Sequence, residues 1–437
     1  MPLIFLLGFV VIGLWSVVAH RFERTGVAGP AVLAAAGAGL VFIDVSGFAG
    51  AVGSESAEHV VELILAVLLF VDACEVRGGV FGGEGRSVAR LVLIALPLSL
   101  VAVVVTGEML MPSLSIFVLL VVACVIMPTD FAPAATLLRS RHIPARVRQI
   151  LNVESGYNDG LISPIFGMAL AAAIAWPTIL AAVDSDKLSA ENEAQLEEKL
   201  GEFFDAFFGA VPATLFAIAV GAVIGGIFGL CVRWASRRGW ADASGIRYVM
   251  LLVPVITFSV ATLSAVAANG FVAAFVAGIV YRIARTRRTD ERTIPHEEII
   301  LVDEAGTLAA NIVWFVLGAM TTVVILDGFD GRLLVLVALA LTVFRIVPVY
   351  LAMLGSSVSW SSRTLVAIVG PRGTATIVFG LLAFNKLPDS EAYPVLAITV
   401  FTVVGSILLH GVIVPQVVKR RMPVLAPSAQ APASADR

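Results

Sequence analysis

Apolar runs of 18 residues and more recur from one end of this chain to the other. A run of about 20 apolar residues lets an α-helix cross the roughly 30 Å hydrocarbon core of a bilayer. Composition agrees. Of the 437 residues, 59% are apolar and 14% charged, with a mean hydropathy of +0.97; a soluble domain carries about a quarter charged residues. Thirteen segments are expected, at 2–19, 27–43, 59–73, 88–106, 113–138, 149–176, 206–232, 247–264, 270–284, 304–324, 332–354, 363–384 and 392–418. The fold class is thus an all-α polytopic membrane protein. Residues 1–422 form one transmembrane domain, and the Ala-, Pro- and Ser-rich stretch from Pro423 to Arg437 reads as a disordered cytoplasmic tail. The first run starts at Pro2 with no basic stretch before it, so it is expected to stay as a helix.

Loop charge orders the segments. Connections after odd-numbered segments carry Arg21 and Arg24; Arg77 and Arg86; Arg139, Arg141, Arg146 and Arg148; Arg233, Arg237 and Arg238; Arg282, Arg285, Arg287, Arg288 and Arg292; Arg363; and Lys419, Arg420 and Arg421. The other side has Lys187, Lys199, Arg332 and Lys386, and collects Asp44, Glu55, Glu58 and the acidic loop from Asp184 to Asp205. Positive charge stays on the cytoplasmic side. This places the chain in the cell membrane with its N-terminus outside and its C-terminus inside. A short surface helix is expected over Leu188–Leu200, and an interfacial amphipathic helix between Arg282 and Asp303.

Several function classes drop out. No Gly-rich phosphate loop with its Lys is present, so coupling to ATP within the chain is not expected. No nucleic-acid module or cofactor motif is present either. Cys74, Cys124 and Cys231 have neither zinc nor redox spacing and read as packing residues. An enzyme is disfavoured, because no Ser/His pair or metal-ligand spacing lies at membrane depth. His410 stands alone in the thirteenth segment and is expected to pack.

Two segments are interrupted. The fifth contains Met127-Pro128-Thr129-Asp130-Phe131-Ala132-Pro133, and the twelfth Gly370-Pro371-Arg372-Gly373-Thr374. Proline breaks a helix, and paired breaks at corresponding positions mark the binding site of a secondary transporter. With segments 1–6 and 8–13 as two repeats, each break falls in the fifth helix of its repeat. The odd separation inverts one repeat relative to the other. Asp130 is placed to offset positive half-helix ends, and Arg372 negative ones.

The densest polar run at membrane depth is Asn152-Val153-Glu154-Ser155-Gly156-Tyr157-Asn158-Asp159-Gly160. On a helix Glu154 and Asn158 share one face, and Ser155 and Asp159 the adjacent one. Glu154 and Asp159 lie about 140° apart and do not form a dyad. Arg345 and Arg372 are the basic residues deep in expected helices. Glu154 is assigned to Arg345 as a structural pair, which leaves Asp159 without a fixed positive partner. Asp159 can then carry either a proton or a hard cation, with oxygens from Ser155, Thr129 and the broken fifth helix. Asp72 either adds a carboxylate there or, with Glu75, is solvated at the inner helix end.

These residues in this order resemble the electroneutral sodium/proton antiporters of the NhaP/NHE-like branch of the cation/proton antiporters. The resemblance rests on Thr129-Asp130, Glu154-Ser155, Asn158-Asp159, Arg345, the Gly370–Gly373 run and the Gly270–Gly278 run. It implies a homodimer with a dimerisation domain and a six-helix core around crossed broken helices. It implies Asp159 as the ion- and proton-binding carboxylate with Asn158 beside it, contacts from Thr129, Ser155 and Asp72, the Glu154–Arg345 pair, and an elevator-like movement. The chain departs from the pattern at Phe131, Gly156 and Tyr157. One exchangeable carboxylate gives one-for-one exchange of Na⁺ or Li⁺ for H⁺ with no net current. A K⁺/H⁺ antiporter on the same scaffold and a cation channel are the alternative readings.

Overall fold

The computed structural model describes residues 3–23, 27–76, 83–138, 140, 142–183, 190–286 and 293–421. Arg24, Arg77, Arg139, Arg141, Lys187, Arg287, Arg288, Arg292 and the tail from Pro423 lie outside the described residues. Among the described residues every regular element is a helix. The helices are α1 (Leu3–Glu23), α2 (Gly29–Leu40), α3 (Val45–Val52), α4 (Glu55–Glu75), α5 (Gly85–Arg90), α6 (Leu96–Leu110), α7 (Ile116–Ile126), α8 (Ala135–Leu138), α9 (Ala145–Val183) and α10 (Ala190–Arg237). They continue with α11 (Ala243–Thr262), α12 (Gly270–Thr286), α13 (His296–Asp327), α14 (Arg332–Leu341), α15 (Val343–Ala352), α16 (Trp360–Ile368), α17 (Thr374–Lys386), α18 (Asp389–Ser406) and α19 (Val414–Arg421). The short π-helical turns Leu91–Ala95 and Ile407–Ile413 join α5 to α6 and α18 to α19.

Eight of the described spans are long and apolar enough to cross a bilayer alone; the α2–α3 pair, bent by 117°, makes a ninth. The bend falls at Asp44, whose side chain caps α3 by accepting from the Gly47 N–H at 2.8 Å. The other expected segments coincide with α4, α12 and the two broken helices, α7–α8 and α16–α17. Apolar residues facing outward, such as Val17 at 83% exposure, fit a chain whose solvent is lipid.

Two expectations need correction. From Ala190 on, the expected Leu188–Leu200 stretch is helical but not separate: α10 runs for 48 residues into the seventh segment, with no proline between Ala190 and that segment and a single Gly201 that costs a helix only about 1 kcal/mol. At about 1.5 Å per residue it is roughly 70 Å long, more than twice the hydrocarbon core. The connection after Arg282 holds no amphipathic helix among its described residues. Instead α12 extends to Thr286 and α13 starts at His296, and the two are clamped by Arg285–Glu298 (Nε to Oε2 3.0 Å). His296 heads α13. Arg282, expected in that loop, is buried.

Helices α1, α2, α4 and α10–α13 pack mainly on one another, as do α5–α8 and α14–α19, while α9 packs against both sets. Each body has an apolar cluster of its own. Phe70, Met250, Tyr281 and Val302 meet in the first, and Leu137, Ile150, Val349 and Val366 in the second. The seam sets α9 against α10 and α12, α4 against α17, and α13 against α17 and α18. Within the first body, Gly221 and Gly225 let α10 lie directly on the Ala273 and Ala277 carbonyls of α12, and Gly229 continues the stripe on Tyr281. Small residues at four-residue spacing permit that approach.

Candidate functional site

Helix α7 starts on a Ser115 cap, which accepts from the Val118 N–H at 3.2 Å. It stops where Pro128 can supply no amide hydrogen. Helix α16 likewise starts on Ser359 and stops before Gly370-Pro371. The two breaks lie against each other and satisfy one another crosswise. The Asp130 N–H donates to the Pro371 carbonyl at 2.9 Å. Asp130 Oδ2 accepts from the Thr374 N–H at 2.5 Å and the Ala375 N–H at 3.4 Å, capping α17. In return Arg372 Nη1 donates to the Pro128 carbonyl, beyond the end of α7, at 2.9 Å. A carboxylate thus meets the positive end of one half-helix and a guanidinium the negative end of the other. Arg372 is fully buried, and its own N–H donates to Ser406 Oγ at 2.7 Å. Ser406 Oγ also lies 3.2 Å from Nδ1 of buried His410.

Helix α9 sorts its polar residues between these breaks. Glu154 and Arg345, both buried, form a bidentate pair: Nη1 bonds Oε1, and Nη2 lies 2.8 Å from Oε2. Arg345 Nη2 also donates to the Val366 carbonyl, just before the second break, at 3.3 Å. A Cβ at Gly370 would sit 2.8 Å from Arg345 Nε. Ser155 Oγ donates to the Thr129 carbonyl at 2.6 Å, and Asn158 Nδ2 to the Thr129 hydroxyl at 3.0 Å. Asn158 was expected on the Glu154 face; it stays about 40° from Glu154, but it is also within about 60° of Ser155 on its other side, and in the structure its amide joins Ser155 on the first break. The amide supplies a donor that an ionised carboxylate at 158 would lack.

Asp159 is 4% exposed, and its Oδ1 has no hydrogen-bond partner among the described residues. It lies at the floor of a cavity of about 1170 Å³, with Ser155, Asp130, Phe131, Thr374 and Ala375. Asp72 is exposed to the same cavity, opposite Gly156, where a Cβ would come 3.7 Å from its own. The mouth is lined by Glu75, Ala145, Arg148, Gln149, Thr293 and His296. All six stand at the Arg-rich ends of their helices or the adjoining connections. Tyr157 turns away from the cavity onto Phe275, edge-on at 5.2 Å. Asp303 also lines the wall; it stands one residue before the tenth expected segment, where hydropathy gives no sign of it. Among the described residues no three His, Cys, Asp or Glu side chains are grouped to hold a resident metal.

A family profile described as sodium/hydrogen exchanger, transmembrane, matches residues 7–420. The fold is similar to that of the sodium proton antiporter MjNhaP1 from Methanocaldococcus jannaschii. The structure of that protein at pH 8 gives a TM-score of 0.70 at 17% identity, covering 96% of this chain and 98% of the other. An electron-microscopy structure of it gives 0.66 at 19% identity, covering 98% and 100%. A Na⁺/H⁺ antiporter of Schizosaccharomyces pombe (strain 972 / ATCC 24843) is 23% identical over 227 residues, which are 51% of this chain and 44% of that protein. The match thus spans less than half of that relative's length.

Proposed function

We propose that this chain, which belongs to the transmembrane sodium/hydrogen exchanger family, exchanges Na⁺ or Li⁺ for H⁺ at Asp159, one for one and by alternating access. The observation that carries this reading is a buried carboxylate with an oxygen left over, at the floor of a cavity open on one side. Such a group binds a proton or a hard monovalent cation, and either one neutralises it. Ser155, Thr129 and Asn158 hold the first break against α9 and present oxygens beside Asp159; Asp72 and Asp130 set the negative charge of the cavity around it. Glu154–Arg345 keeps α9 locked to the second break, and Asp130 and Arg372 neutralise the half-helix ends. The cavity mouth lies on the Arg-rich, cytoplasmic side, so this is the inward-open arrangement, with the N-terminus outside and the C-terminus inside a plasma membrane. Thirteen crossings in two inverted repeats and a homodimer complete the proposal.

The test is proton movement in sealed vesicles that hold a pH dye. Adding NaCl or LiCl to vesicles loaded with protons is expected to release them. Release by KCl alone would replace the substrate with K⁺, and no release with any salt would overturn the exchange reading. A current across a planar membrane would overturn the one-for-one stoichiometry, and cation flux without proton counter-flow would favour a channel.

A further inference from the structure

On the side opposite the cavity mouth, the two bodies are joined by a small polar contact. Lys386, the last residue of α17, sets Nζ 2.7 Å from Glu58 Oε1 and 3.8 Å from Glu62 Oε1, both on α4. Asn385 Nδ2 adds a bond to the Val52 carbonyl, at the end of α3, at 3.1 Å. Glu62 also faces His59 Nδ1 at 3.4 Å, and His59 Nε2 lies 3.9 Å from Glu55. Against Lys386 and Glu62 lies a second cavity, of about 190 Å³, which Ser163, Asn269, Phe166 and Phe271 also line. Ser163 is 1% exposed and donates to Asn269 Oδ1 at 2.9 Å.

The position of Ser163 is informative. It lies four residues after Asp159 on α9, on the same face and about 6 Å along the axis. One helical turn therefore separates the floor of the large cavity from the wall of the small one. Phe166, Phe271 and Phe379 pack beside that turn, with ring centroids 4.9 Å (Phe166–Phe379) and 6.3 Å (Phe271–Phe379) apart. The large cavity runs along the seam from the inner side; the small one lies on the same seam from the outer side.

We propose that the small cavity is the outer half of the ion path in its closed form, and that Lys386 with Glu58 and Glu62 latches the two bodies together over it. The inference rests on the alternating-access reading above. Opening outward requires α17 to part from α4, and these ion pairs must break first. Lys386 is 39% exposed on its side chain and the glutamates 18% and 19%, so the latch biases the equilibrium without freezing it.

The experiment is thiol labelling in a Cys231→Ala background, since Cys74 and Cys124 are buried. Ser163→Cys reports the small cavity to a membrane-impermeant maleimide added outside, and Asn152→Cys reports the large cavity to the same reagent added inside. Lys386→Met is expected to raise outer labelling about two- to fivefold, the effect of one partly exposed ion pair on a two-state equilibrium, and to lower inner labelling. The Lys386→Glu, Glu58→Lys exchange of charges is expected to restore both rates. Unchanged labelling at both reporters in folded Lys386→Met, or in Glu58→Gln should the former not fold, overturns the latch. Labelling needs no transport. Protein that fails to exchange but shifts its labelling would sink the exchange reading and keep the latch, whereas exchange without a labelling shift does the reverse.

Discussion

The two breaks have the same origin, a proline at membrane depth, and opposite surroundings. The first, at Pro128–Phe131, turns the Thr129 oxygens toward Ser155 and Asn158, and it borders the cavity through Asp130 and Phe131. The second, at Gly370–Gly373, is packed shut. Gly370 lies under the Arg345 guanidinium, Gly373 under the Asp130 carboxylate, and Arg372 is fully buried. The difference teaches that breaking a helix does two separate jobs. One break turns its oxygens to α9 beside the cavity, where the proposed function puts the ion; the other makes room for charges that hold the first in place.

That division can be broken by substitution. The largest effect is expected at Asp159→Asn, which keeps size and burial but removes the exchangeable charge. Cation-driven proton movement falls to background while the melting temperature in detergent stays near that of the parent. Retained exchange in this variant would reject Asp159 as the exchanging carboxylate. Next comes the pair on the other side. Arg345→Ala leaves Glu154 buried and unpaired and should destabilise by about 3–5 kcal/mol. The Glu154→Ala, Arg345→Ala double variant should cost less than the sum of the singles. Additive costs in thermal or denaturant unfolding would mean the pair contributes no coupling.

Smaller still is Gly370→Ala. The added methyl meets the middle of the Arg345 side chain, which is pinned at its far end by Glu154, so overpacking of about 1–3 kcal/mol is expected. Unfolding midpoints measure it, and apparent cation affinity should change little. The smallest effect is Thr129→Val, which deletes the acceptor for Asn158 but keeps the carbonyl for Ser155. A lost hydrogen bond of about 0.5–1.5 kcal/mol corresponds to a roughly two- to tenfold weaker apparent affinity for the cation in the vesicle assay. If Thr129→Val lowers stability more than affinity, the first break is as structural as the second and the contrast dissolves.

Much of this architecture was legible in the residues. Apolar runs marked the spans, Pro128, Pro133 and Pro371 marked the breaks, and the scarcity of deep basic residues brought Glu154 and Arg345 together on paper as they are in the structure. What escaped has a common cause. Hydropathy registers lipid and is silent in water, so α10 and α13 were trimmed where charges begin, although their hydrogen-bonded backbones continue. That trimming hid Asp303. Nor does hydropathy say which helix a face meets. Asn158 reaching Thr129, Arg282 buried at the end of α12, and Lys386 bridging to α4 all depend on neighbours that no single segment specifies.

On the proposed orientation, a wide inlet that ends at Asp159, one helical turn short of the far cavity, carries the electrical potential of the inner solution down to the carboxylate. The transmembrane voltage then falls across the aromatic layer of Phe166, Phe271 and Phe379 rather than over the full bilayer, because low-dielectric walls concentrate field lines. A charge pushed through so thin a septum feels nearly the whole of about 2.3 kcal/mol per 100 mV. On the proposed one-for-one exchange no net charge crosses this steep field, and turnover is expected to be the same in a polarised and a depolarised cell.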